Sequence, residues 1–127
     1  MMLAAAGLIG FTGVGLGAFG AHGLRNRVSE DRLAAWQTGV HYQLLHAVAL
    51  LSTSLALKSG AVKAGTKLAT RMQLASKLWL AGTLLFSGSI YGLVLSEGQW
   101  KFLGPVTPIG GTVMMGGWLA VVAAALQ

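Results

Sequence analysis

Charged residues divide this chain into four long uncharged stretches. Asp, Glu, Lys and Arg are missing from Met2–Leu24, Leu33–Leu57, Leu78–Ser96 and Phe102–Gln127. A helix rises about 1.5 Å per residue and the hydrocarbon core of a bilayer is about 30 Å thick, so roughly 20 apolar residues cross it. Each stretch is long enough. The pattern predicts an all-α integral membrane protein, a four-helix bundle of up-down-up-down topology, with spans near 2–24, 37–57, 74–96 and 105–126. Those spans and three short loops use the whole chain, so residues 1–127 form a single four-span transmembrane domain.

Finer patterning predicts how the helices start and pack. Gly13-x-x-x-Gly17-x-x-x-Ala21 places small residues one turn apart, where a neighbouring backbone can approach closely in lipid; Gly88-x-x-x-Gly92 repeats this in the third span. Ser29 is the expected N-cap of the second helix, with Glu30 and Asp31 at its positive end. That helix is expected to begin outside the hydrocarbon, with Trp36 and Tyr42 near an interface. "KSGAVKAGTKLATRMQ" is expected to be a solvated basic loop facing headgroups. Pro105 suits the first turn of the fourth helix, and Pro108 is expected to kink it mildly.

Composition strengthens the membrane reading. Only 9% of residues are charged and 54% are hydrophobic, against roughly a quarter charged in a soluble domain. The net charge of +6 does not indicate nucleic acid, because the basic residues sit beside spans, where anionic headgroups attract them. With no cysteine, disulfides, thiolate catalysis and cysteine metal sites are excluded. The first span is expected to be a retained helix and not a cleaved signal peptide, since it lacks a basic n-region. The termini and second loop share Lys58, Lys63, Lys67, Arg71 and Lys77; the other side carries Arg25, Arg27, Arg32, Lys101 and every acid. That slim excess places both termini on the cytoplasmic or matrix side. The chain stops at Gln127, barely past the last span, so no tail is expected to recruit a soluble partner.

The polar residues inside the spans gather at the ends joined by the first and third loops. His22, Tyr42, Gln43, His46, Ser89, Tyr91 and Thr107 form the candidate layer. About seven residues into the second helix, His46 lies roughly 10 Å deep, and Tyr91 lies roughly 8 Å from the end of its own helix. The opposite membrane half is expected to be mostly Ala, Leu and Val. A histidine inside a span is rare and usually faces the bundle interior. It indicates either a ligand, proton or cofactor site, or hydrogen bonds that hold helices together. Haem would need axial ligands at matched depth: His22 and His41 match in depth, and His22 and His46 approach only if the first helix packs tightly; nothing further supports it. His41 and His46 lie about 140° apart around a helix and chelate a metal poorly. No carboxylate lies within a span to couple protons, and Ser87 and Ser89 lack the oriented base a nucleophile needs. No enzyme activity and no cofactor are expected.

"LGAFGAHGL", "WQTGVHYQLLHAVALL", "GTLLFSGSIYGLVLS" and "PVTPIGGTVMMGGWL" resemble the bacterial YgdD/YwdK-type membrane proteins, the family called domain of unknown function 423. Its eukaryotic relatives are the transmembrane protein 256 group, placed in mitochondria. The resemblance covers nearly the whole chain and implies four spans, while supplying no activity, catalytic residue or cofactor. Its pattern falls on Gly17, Gly20, His22, Tyr42, His46, Gly88, Ser89, Tyr91, Thr107, Pro108, Gly110 and Gly111, and omits His41. It implies a bacterial plasma membrane or, alternatively, a mitochondrial inner membrane.

The expected function is that of a structural or accessory subunit, packing in the lipid bilayer against other membrane proteins or against itself as a homo-oligomer. The rival is a small-molecule, ion, quinone or lipid site around His22 and His46.

Overall fold

The computed structural model describes residues 1–126; Gln127, on which the tail expectation rested, lies outside the described residues. Four helices form: α1 (Met2–His22), α2 (Glu30–Lys58), α3 (Lys67–Leu95) and α4 (Val106–Ala125), with a 3₁₀ turn at Lys101–Leu103 before α4. Each is long and apolar enough to cross a membrane.

Local chemistry sets the boundaries. The Ser29 hydroxyl accepts a hydrogen bond from the Arg32 N–H, with Glu30 and Asp31 in the first turn of α2, as the sequence predicts. The basic loop is shorter than expected. Thr66 caps α3 by accepting from the Ala69 N–H at 3.2 Å, so Lys67–Gln73 are helical and only residues 59–66 remain irregular. At the far end of α3 the Gly98 N–H reaches Leu93 O and the Glu97 N–H reaches Val94 O, a Schellman closure. It places Glu97 at φ 53, a conformation that favours glycine. Pro105 stands just before α4 with helical angles, one residue outside its predicted place. Pro108 falls in the first turn, where its missing N–H breaks no intrahelical bond.

The central pair is α2 and α3; α1 packs along α2, and α4 packs along α3. Arg32 Nη2 donates to Glu97 O, which ties the first and third turns together on one side of the bundle. The up-down-up-down order follows.

Glycines decide the closest approaches, on a different register from the one expected. The α1 face against α2 is Gly10, Gly13, Gly17 and Gly20, opposite Ala47, Leu44, Val40 and Trp36 in turn. Ala21, predicted to continue the Gly13 and Gly17 face, is exposed. Gly88 meets nothing within 4 Å, so the predicted Gly88–Gly92 face does not form. The tightest seam is instead α3 against α4. A Cβ at Gly110 would stand 2.4 Å from Phe86 N, and one at Gly82 would stand 2.8 Å from Met114 N. Trp36, expected at an interface, is 1% exposed within a cluster with Leu24, Val40, Ile90 and Val94. Gly20 makes the room for its ring.

Candidate functional site: a buried polar network

Gln43 is the hub. Its Nε2 donates to Ile9 O at 2.9 Å and to Thr12 Oγ1 at 3.0 Å, both on α1. Its Oε1 accepts the Tyr91 hydroxyl of α3 at 2.7 Å. Thr12 passes its own proton to Leu8 O at 2.7 Å. One buried amide therefore joins three helices, with both its donors and its acceptor used.

His46 is the second node, 2% exposed at mid-height in α2. Its Nδ1 lies 2.8 Å from Tyr42 O, and the Trp118 indole N–H of α4 donates to its Nε2 at 3.1 Å. A carbonyl only accepts and an indole N–H only donates. These partners fix a neutral ring with its proton on Nδ1. The rings of Trp79, Trp118 and Tyr42 surround the imidazole at centroid distances of 6.0–6.3 Å.

Smaller pairs complete the cross-links. Ser87 Oγ donates to Gly39 O at 2.7 Å, and Trp36 Nε1 donates to Leu16 O at 2.8 Å. Ser89 and Thr107 share a 2.6 Å hydroxyl contact between α3 and α4. Thr53 and Ser76 share one of 2.9 Å between α2 and α3. In lipid such contacts are worth on the order of 0.6–2 kcal/mol each.

Two expectations about this layer are corrected. It is not confined to one membrane half: from Trp36 to Thr53 its contacts climb α2 by roughly 25 Å. And His22 does not belong to it. His22 is exposed at the end of α1, with no hydrogen bond or ring contact to the layer among the described residues. The antiparallel register explains why. Gly10 faces Ala47 and Gly20 faces Trp36. His22 is thus level with the residues just before Trp36, roughly 15–18 Å along α2 from His46.

Of the remaining predicted residues, Tyr42 is 40% exposed and contributes its carbonyl and ring face. Gln43, His46 and Tyr91 come together as described, and Ser89 with Thr107 forms a separate pair. Sequence reasoning missed Thr12 and Trp118. Thr12 stands three residues past Ile9 on the face opposing Gln43, a placement visible only once the register is known. Trp118 resembles an ordinary lipid-facing aromatic, and it is indeed 44% exposed.

The geometry bears on ligand chemistry. Both His46 nitrogens are occupied, so no lone pair faces a metal or haem iron. No group of three His, Asp or Glu that could hold a metal occurs among the described residues. A hollow of about 200 Å³ reaches Tyr42, His46, Met114 and Trp118. Ligand pockets usually run to roughly 300–1,000 Å³.

The family model described as "Protein of unknown function (DUF423)" matches residues 16–111. The chain belongs to this family. The UPF0382 membrane protein YwdK of Bacillus subtilis is 41% identical over 115 residues, covering 90% of this chain and 86% of its own. The UPF0382 membrane protein C1782.12c of Schizosaccharomyces pombe is 39% identical over 117 residues, covering 89% and 91%. A UPF0382 membrane protein of Haemophilus influenzae is 39% identical over 118 residues, covering 90% and 84%. No solved structure matches the chain. With relatives named as membrane proteins and four spans of its own, this member of the family is an integral membrane protein.

Proposed function

We propose that this protein is a structural or accessory subunit, a single four-span unit that packs against other membrane proteins or a second copy of itself. The observation that carries this reading is the closure of the polar interior. Gln43 spends its amide on α1 and α3, and His46 spends one nitrogen on the Tyr42 carbonyl of its own helix and the other on Trp118 of α4, which is what holding a bundle together requires and what ligand binding does not. The outward side adds to it. Phe11 and Val14 on α1 are exposed, and Gly7 and Gly15 meet nothing within 4 Å, so a neighbouring helix could approach the backbone there. No catalytic set is part of this reading. Both termini face the cytoplasm or matrix, in a bacterial plasma membrane or a mitochondrial inner membrane.

The test is purification of the tagged protein from its native membrane in mild detergent, with its mass and visible spectrum recorded together. A complex larger than one chain and free of chromophore is expected. A lone monomer in native nanodiscs overturns the accessory reading. A Soret band or a co-purified quinone moves the function to the second reading, a small-molecule, ion, quinone or lipid site. That reading is favoured by the hollow reaching His46 and Tyr42. Its occupant would have to displace the Trp118 ring.

A further inference from the structure

The end of the bundle opposite the two tied turns carries a different site. There the start of α1, the last turns of α2 and the second and third turns of α3 enclose a cavity of about 430 Å³. Its wall combines two chemistries. Lys58, Lys77 and Gln73 bring cations and an amide, while Leu3 and Leu57 are apolar. Ser54 belongs to the same wall, and its buried hydroxyl has no hydrogen-bond partner. Serine hydroxyls elsewhere in α2 and α3 are all bonded: Ser52 to Val48 O, Ser76 to Thr53 and Met72 O, Ser87 to Gly39 O and Ser89 to Phe86 O and Thr107.

The electrostatics around the cavity have one sign. Lys63, Lys67 and Arg71 follow on the adjoining loop and the first two turns of α3. Glu30, Asp31 and Glu97 all stand at the other end of the bundle, so among the described residues no side-chain carboxylate competes for these cations. An occupant must be anionic, rich in acceptors and partly apolar. Nucleic acid fits poorly, because no aromatic ring lines the wall for a base to stack on.

We propose that this cavity holds the phosphate of an anionic phospholipid. Lys58 and Lys77 meet its charge, Gln73 and the Ser54 hydroxyl donate to its oxygens, and the glycerol end of its chains lies against Leu3 and Leu57. The site is independent of the accessory reading, since it would exist in a lone bundle or in a complex.

The test is delipidated protein in mild detergent, offered phosphatidylglycerol or phosphatidylcholine at equal concentration, with bound lipid counted by native mass spectrometry. Phosphatidylglycerol is expected to be retained about thirtyfold more strongly, the preference that two lysines at about 1 kcal/mol each supply. Lys58→Gln with Lys77→Gln should abolish that preference, and Lys58→Arg with Lys77→Arg should keep it. Both lysines are exposed, so helicity should survive either pair. Lys63→Gln with Lys67→Gln removes equal charge outside the cavity and should leave the preference intact. Equal losses from the two glutamine pairs would mean diffuse attraction and overturn the site. Equal retention of both lipids would overturn it too. Stabilisation by millimolar inorganic phosphate that matches phosphatidylglycerol would assign a free anion in place of a lipid.

Discussion

At the residue scale, Gln43 and His46 differ from the other polar residues by how many partners each would strand. Gln43→Leu leaves the Tyr91 hydroxyl without its acceptor and Thr12 without its donor. A buried group deprived of its partner costs about 1–3 kcal/mol, tempered in membranes because the unfolded reference also finds partners. Gln43→Leu is therefore expected to cost about 2 kcal/mol. Ser89→Ala, which removes one shared hydroxyl contact, should cost about 0.5–1 kcal/mol. Reversible unfolding in mixed micelles ranks the two. Equal costs would mean that Gln43 is not a hub. For His46 the matching measurement is a double-mutant cycle between His46→Phe and Trp118→Phe, with a coupling of about 0.6–1.7 kcal/mol expected from the ring-to-indole bond.

At the element scale, the spans were legible and their faces were not. Uncharged length alone located each helix to within a few residues except at the start of α3. There Lys67 and Arg71 mimic a loop, and the Thr66 cap decides otherwise. The faces failed for a physical reason. In a soluble helix, polarity marks the outward side; in lipid both sides are apolar, so the glycine pattern admits several registers. Gly13, Gly17 and Ala21 share a stripe as plausibly as Gly10, Gly13, Gly17 and Gly20 do, and only the shape of α2 selects the second. The candidate site was half legible for the same reason. Gln43, His46 and Tyr91 stand out as polar residues within spans, whereas the level of His22 depends on the register. The contrast among glycines is testable. Gly110→Ala places its Cβ against the Phe86 backbone, which cannot rotate away, and is expected to cost about 3 kcal/mol or more. Gly88→Ala meets open space and should be neutral or stabilising by up to about 1 kcal/mol, because alanine is the better helix former. Melting curves in detergent would separate them, and similar midpoints would contradict the α3–α4 seam.

At the scale of the whole molecule, most of the packing runs from each helix to the next, so α1 lies chiefly along α2 and stands at the margin. That arrangement is what an accessory subunit needs, because a marginal helix presents a long lipid-facing side without opening the core. It also makes a sharp structural prediction, helped by the absence of native cysteine. A Cβ built on Gly10 lies 3.8 Å from Ala47 Cβ, within the roughly 3.5–4.5 Å separation of disulfide-bonded pairs. Gly10→Cys with Ala47→Cys should therefore close an intramolecular disulfide on mild oxidation. The product should migrate as a compact monomer and resist thermal unfolding. A single Gly15→Cys, with no neighbour within 4 Å inside the chain, has no internal partner. In native membranes it should remain a free thiol or link to another polypeptide. The two variants divide the possibilities. Failure of the first pair would show that α1 does not lie on α2 in the register described. Closure of the first pair with an intermolecular product from the second would locate the accessory interface on the outward side of α1. Closure of the first with a persistently free second thiol would move the interface to another face of the bundle, while leaving the fold intact.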